Sequence, residues 1–166
     1  MKKKLPIFLA LALFAYGLSF IDFKKSPTGC AFCREEVLSV QTFDRQEGAI
    51  AMISYKPCKR GHILIIPERH VERFEDLTAE EMVAIGKMIQ KVDKKAKEVF
   101  GSTGYMLFQK NGREAGQSVP HVHFHYIPRD KEESALLFAI RFIISSWLKP
   151  MNGEEIRERV LELQQG

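Results

Sequence analysis

The stretch HVHFHYIPR, residues 121–129, alternates imidazoles with apolar side chains and is bounded by Pro120 and Pro128. An apolar–polar alternation with period two marks an extended strand whose two faces meet different surroundings. His121, His123 and His125 therefore share one face, while Val122, Phe124 and Tyr126 turn the other way, toward a core. The chain has only five histidines, so three in register concentrate chemistry on one strand. Such a strand needs neighbours for its hydrogen bonds and a helix to cover its apolar face.

The rest of the chain supplies both. AIAMISY, 49–55, and HILIIP, 62–67, are apolar, strand-like runs joined by KPCKRG, 56–61, a turn with Pro57 and Gly61, and they predict an antiparallel hairpin. Thr78 and Glu81 form a capping-box pattern ahead of Met82, Ile85, Ile89, Val92, Ala96 and Val99, an amphipathic stripe that Gly101 ends. YMLFQ, 105–109, reads as a strand and KNGREAGQS, 110–118, as a glycine-rich loop. VERFEDL, 71–77, turns from strand to helix with Phe74 expected in the core. SALLFAIRFIISSWLK, 134–149, is apolar without a clear period, a helix or a strand with an adjoining turn. NGEEIRERVLELQQ reads as a short terminal helix with Ile156, Val160 and Leu163 inward. Strands on both sides of one long helix predict an α+β fold with an antiparallel sheet.

The chain begins with Lys2, Lys3 and Lys4, followed by 17 uncharged residues from Leu5 to Ile21. That length lies between a signal-peptide core and a full membrane span. Residues 1–25 are thus expected as a signal peptide or membrane anchor, ahead of a domain at 26–166 that is exported or membrane-anchored; a cytoplasmic domain is the alternative. The net charge of +4 belongs to this segment. The remainder is balanced and offers no bulk field for a long nucleic acid. A small phosphorylated ligand needs only local donors.

Three uses of the histidine row present themselves. It can be a solvated or core face without chemistry, a metal-chelating strand, or a nucleophilic site. Along a strand the first and third histidines stand roughly 13 Å apart, too far for one ion to hold all three. A neutral imidazole oriented through one nitrogen can attack phosphorus with the other. The preceding loop favours this use, because Asn111, Gly112, Gly116, Gln117 and Ser118 offer amide and hydroxyl donors beside backbone that can approach a phosphate closely.

NGREAGQSVPHVHFHYIPR, 111–129, resembles the signature of the histidine triad (HIT) family of nucleotide hydrolases and transferases. RGHILIIPERHVERFEDL, 60–77, is similar to the family's preceding hairpin strand, and CAFC, 30–33, to a motif of many bacterial members. The resemblance covers about Cys30 to Arg129. It implies a HIT-like fold, usually a homodimer, and an attack by His123 on the α-phosphate of a nucleoside phosphoramidate, dinucleoside polyphosphate or similar conjugate. A nucleotidyl-histidine would form and then pass its nucleotide to water or another acceptor. The His121 carbonyl would fix the His123 tautomer, His125 would donate to phosphate oxygens, and His62 would support the row. Asn111, Gln117 and Ser118 would bind phosphate. The family usually places an acid or amide for the ribose at the position held here by Ser54, a weaker partner. A non-catalytic zinc- or nucleotide-binding module is the rival reading.

Cys30 and Cys33 can clasp Zn2+, form a redox pair or be incidental. The βαβ context of a thioredoxin-like redox pair is absent. The resemblance implies a structural zinc site of Cys30, Cys33, His70 and His121, which divides the row into one structural and two chemical histidines. An oxidising compartment would instead favour a disulfide. Trp147 can stack on a base, pack in the core or sit at a membrane surface, and the core is the expectation.

Overall fold

A computed structural model describes residues 29–147 and 149–165. The expected N-terminal signal or anchor, residues 1–25, lies outside the described residues. Among those described, no helix is long and apolar enough to cross a membrane.

A short helix, α1 (Glu35–Gln41), leads into β1 (Thr42–Gln46), β2 (Ala49–Ile53) and β3 (Ile63–Pro67). The long helix α2 (Ala79–Phe100) precedes β4 (Gly104–Gln109) and β5 (Phe124–Arg129). Two helices, α3 (Ala135–Ile144) and α4 (Gly153–Gln165), end the chain. The five strands form one antiparallel sheet in the order β1-β2-β3-β5-β4. This is the α+β architecture expected, with one long helix and a short C-terminal one.

The central strands are apolar throughout because both of their faces are covered. Ala49, Ala51 and Ile53 of β2 and Ile63 and Ile65 of β3 meet Ala84, Ile85, Met88, Val92 and Ala96 of α2 and Ile156 and Leu163 of α4. On the other face Ile50, Met52, Leu64 and Ile66 pack with Phe32. Each Ile, Leu, Val, Met or Phe among them withdrawn from water contributes about 1.5–3 kcal/mol before entropy is counted. The capping box forms as read, with the Thr78 hydroxyl accepting from the Glu81 amide and the Glu81 carboxylate from the Thr78 amide. The buried stripe of α2 departs from the expected one at its start. Met82, in the first turn and ahead of the contact with the sheet, is exposed, and Met88 is buried instead. Tyr126 reaches from β5 to α2, where its hydroxyl donates to Asp93 Oδ1 at 3.0 Å.

Other expectations need correction. Phe74 is 43% exposed, packed edge-on against Phe124; Val71 and Leu77 fill the core on either side of it. Trp147 is 63% exposed, not in the core. The apolar run at 134–149 is helical, started by the Ser134 hydroxyl accepting from the Leu137 amide. The strand expected over 121–128 pairs in the sheet only from Phe124. Its first three residues have other partners. The Val122 amide donates to the Val71 carbonyl at 2.6 Å, and the His121 carbonyl receives the His123 ring at 2.7 Å. The alternation of faces persists nonetheless, with Val122 and Tyr126 in the α2-side core.

Gly61 sits at φ +82°, and a Cβ there would lie 2.7–2.9 Å from the Pro128 and Phe100 side chains. Gly101, which ends α2 at φ +66°, has open space around the same position. Gly61→Ala should therefore cost clearly more than the about 1–2 kcal/mol of left-handed backbone that Gly101→Ala pays alone. Urea denaturation of both variants checks this, and equal losses would contradict the packing account.

Candidate active site

The buried His123 ring lies on the face of the sheet opposite α2, edge-on to Phe32 at 5.3 Å between centroids. Its Nδ1 is 2.7 Å from the His121 main-chain carbonyl. A carbonyl oxygen only accepts, so Nδ1 carries the ring proton and Nε2 keeps its lone pair. Burial first, and then the positive charge of Lys110, hold the His123 pKa below its usual value of 6.5 despite that hydrogen bond. The ring is therefore neutral at neutral pH, with a basic nitrogen.

A second chain of hydrogen bonds fixes the neighbouring ring. The Cys58 amide donates to His62 Nδ1 at 3.3 Å, which makes Nδ1 an acceptor. His62 Nε2 then carries the proton and donates to His125 Nδ1 at 2.9 Å. By the same reasoning His125 Nε2 carries its proton and is a donor. Phe108 stacks on His125 at 4.4 Å with the ring planes 7° apart. Burial lowers His62 to about 4 and His125 to about 2, with the neighbouring histidines adding to the shift. One imidazole thus offers a lone pair, and the ring beside it, 5.0 Å away between centroids, offers an N–H.

The 110–118 loop folds against the row. Gly112 and Gly116 both adopt positive φ around a single turn, Arg113–Ala115. Gln117 is buried, its Oε1 accepting from the Gly112 amide at 2.7 Å and its Nε2 donating to the Glu72 carbonyl at 2.9 Å. The same Nε2 lies 3.4 Å from the His121 carbonyl. Asn111 accepts from the Phe74 amide at 2.9 Å and donates to Glu75 at 2.7 Å. These two side chains therefore shape the loop, while Ser118 is exposed at its end. Ser54 is buried just past β2, its amide donating to the His62 carbonyl at 3.1 Å.

His121 turns its side chain to a different task. Its Nε2–H donates to the Pro67 carbonyl at 3.0 Å, which leaves Nδ1 bare, 3.4 Å from Cys30 Sγ and 3.7 Å from Cys33 Sγ. His70 Nδ1 is 3.3 Å from Cys33 Sγ. The four ligand atoms all lie within 4.8 Å of one another. Two sulfurs and two imidazole nitrogens make a donor set of the kind that binds metal ions, and the Pro67 carbonyl is the kind of outer partner that holds a ligating histidine in its tautomer. The cluster can hold a metal ion. Burial, with Cys33 alongside, raises the Cys30 thiol to about 11, a cost that a bound cation offsets by stabilising the thiolate.

Several parts of the site escaped the sequence. Phe32 stands between the two cysteines and touches both His121 and His123. Phe108, Lys110, the Cys58 amide and the Pro67 carbonyl also escaped. Phe32 had a signal, its place inside CAFC; main-chain partners carry none. Arg129, with no reading fixed in advance, lies over the Phe138 ring at 3.9 Å and pairs with Glu133, so it braces α3.

A five-stranded antiparallel sheet with one long covering helix and a buried, carbonyl-anchored histidine beside a glycine-rich loop defines an α+β domain of the histidine-triad type. Residues 36–132 match the HIT domain, and the chain belongs to that family. It is 39% identical over 93 residues to a bis(5'-nucleosyl)-tetraphosphatase (asymmetrical) of Schizosaccharomyces pombe, a match covering 56% of this chain and only about half, 51%, of that protein. It is 33% identical over 123 residues to a bis(5'-adenosyl)-triphosphatase of Dictyostelium discoideum, covering 74% of this chain and 83% of that one. The crystal structure of a HIT family protein from Bacillus anthracis superposes with a TM-score of 0.58 at 27% identity, covering 75% of this chain and all of the other.

The depressed histidines link stability to pH. His62 and His121 fall to about 4 and His125 to about 2 in the fold, against 6.5 when unfolded. Between pH 6.5 and about 4 the unfolded chain binds more protons, so stability is full above 6.5 and falls as the pH drops. Urea midpoints measured at pH 7.5, 6 and 5 should decrease in that order; a flat or rising series would contradict the buried, neutral row.

Proposed function

We propose that this chain is a HIT-type hydrolase or nucleotidyl transferase acting at the α-phosphate of a nucleoside phosphoramidate, a dinucleoside polyphosphate or a similar nucleotide conjugate. The observation that carries the reading is the 2.7 Å contact of His123 Nδ1 with the His121 carbonyl, which leaves Nε2 bare. The polyphosphatase names of the two relatives support the substrate class.

In the first step the Nε2 lone pair of His123 forms an N–P bond, and the P–O or P–N bond to the leaving group breaks with its electron pair going to that group. His125 Nε2–H stabilises the charge that develops on the phosphate oxygens. Asn111 and Gln117 keep the 110–118 loop in shape, and Ser118 donates from its end. Ser54 meets the ribose. In the second step water, or another acceptor, forms a bond to phosphorus as its proton passes through solvent to the departed leaving group, and the N–P bond breaks, returning the electron pair to Nε2. Because His123 is neutral and anchored beforehand, no proton has to leave the nucleophile.

Cys30, Cys33, His70 and His121 form a structural Zn2+ site in this reading. When bound, the ion supplies a fixed cross-link between the N-terminal turn and the strand exits. Its effect on the chemistry runs through the position of the His121 carbonyl. Residues 1–25 act as a signal peptide or as a membrane anchor through 5–21, ahead of the catalytic domain at 26–166. The domain pairs as a homodimer, a reading supported by exposed Tyr105 and Leu107 on the edge strand β4.

Replacing the nucleophile separates these roles. His123→Ala should lower hydrolysis of diadenosine polyphosphate or adenosine phosphoramidate by at least about 10³-fold, with zinc content by elemental analysis and nucleotide binding by calorimetry both kept. Unchanged turnover accompanied by loss of zinc would overturn the assignment; wild-type nucleotide binding without product would identify a non-catalytic module.

A further inference from the structure

Helix α3 carries one cation, Arg141, and no acidic residue. Its inner side buries Phe138 and half-buries Phe142 against Cys58, Ile127, Met106 and Phe108. Its outer side is also apolar. Leu136 is 72% exposed, Ile140 46%, and Trp147, in the turn that follows, 63%. These three fall at i, i+4 and i+11, one stripe along the helix. A helix on the surface of a domain surrounded by water turns polar residues outward, and this one does not. The nucleotide chemistry gives no account of the stripe, which lies beyond residue 132, where the match to the HIT domain ends.

Two observations say what covers it. The first is the rim of the stripe. Trp147 closes it with an indole, Lys149 follows two residues later, and Arg141 is half-exposed on the helix. An apolar stripe edged by an indole and cations matches the headgroup boundary of a bilayer. The nearby Glu133 is taken up by Lys59, Arg129 and Arg141 and Asp130 by Lys59, which leaves Glu132 at the far end of the helix. The second is the chain that precedes the described residues. It holds the uncharged run Leu5–Ile21 behind three lysines. The described chain starts at Gly29 and runs directly into Phe32, on the sheet face of Ile50 and Leu64. The packing of α3 on Ile127, next to the oppositely directed Tyr126, puts it on that same face. The start of the described chain and the stripe therefore lie on one side of the sheet.

We infer that Leu136, Ile140 and Trp147 form a docking surface for a lipid bilayer, on which the domain lies flat beside the membrane segment 5–21. The inference rests on the reading of that segment as a membrane anchor. Neither a second copy of the chain nor the N-terminal segment folded back would require the cationic, indole-capped rim.

Trp147 is the chain's single tryptophan, so its emission reports on the stripe alone. The full chain would be reconstituted with phosphatidylcholine–phosphatidylglycerol vesicles whose acyl chains carry bromine. Docking predicts emission at short wavelength that the bromines largely quench. It also predicts that Leu136→Glu with Ile140→Glu restores long-wavelength, unquenched emission while turnover of a soluble nucleotide conjugate stays at the wild-type level. Short-wavelength emission that the bromines do not quench overturns the inference: dependence on the protein-to-lipid ratio would identify a second copy, and independence would identify the N-terminal segment. A chain that floats with the vesicles but leaves Trp147 in water retains the anchor and loses the docking surface. A chain that does neither loses both.

Discussion

The hydrogen bond from His123 Nδ1–H to the His121 carbonyl, 2.7 Å long, is the interaction on which the rest of the site depends. It decides which nitrogen of the buried ring is basic. It also occupies the His121 carbonyl, three residues ahead of Phe124, where the pairing of β5 begins. The side chain of the same residue joins Cys30, Cys33 and His70, and its Nε2 is tied to Pro67. One residue therefore fixes the His123 tautomer with its main chain and joins Cys30, Cys33 and His70 with its side chain. Anything that moves the cluster moves the acceptor that fixes the tautomer.

Packing holds this arrangement in place. Val122, between the two histidines, is fully buried in the α2-side core, and its amide bonds to Val71. Phe32 presses on the histidine face from the other side. A ring confined in this way keeps its charge low by exclusion of water, and keeps its orientation without the loop having to close on it. His62, His125 and Phe108 repeat the scheme one position along.

The parts that rest on local rules were legible in the sequence: the capping box at Thr78, the β2–β3 hairpin and the alternation of faces through 121–126. The cluster of Cys30, Cys33, His70 and His121 was expected from the resemblance to the HIT family. The parts that rest on distant partners were not legible. Helix α1 and strand β1 show no clean period, since Phe43 is the one buried residue of β1 and the tight turn to β2 is made by Glu47 and Gly48, both at positive φ. The end of strand pairing at Phe124 depends on Val71, fifty residues away. Asn111 and Gln117 were read as ligand donors; the partners they hold in the fold, the Phe74 and Gly112 amides, the Glu72 carbonyl and the Glu75 carboxylate, are ones that no sequence pattern displays. Trp147 and Phe74 were assigned inward by hydrophobicity alone, which says that a side chain avoids water without saying what shields it.

The most direct measurement of the central claim is the attachment site of a trapped intermediate. The full chain would be mixed with excess diadenosine polyphosphate, stopped within the first turnover under alkaline conditions that preserve N–P bonds, digested and sequenced by mass spectrometry. The account predicts an adenylyl group on His123 alone. An adduct on His121, His125 or His62, or turnover through a burst with no histidine adduct, would contradict it.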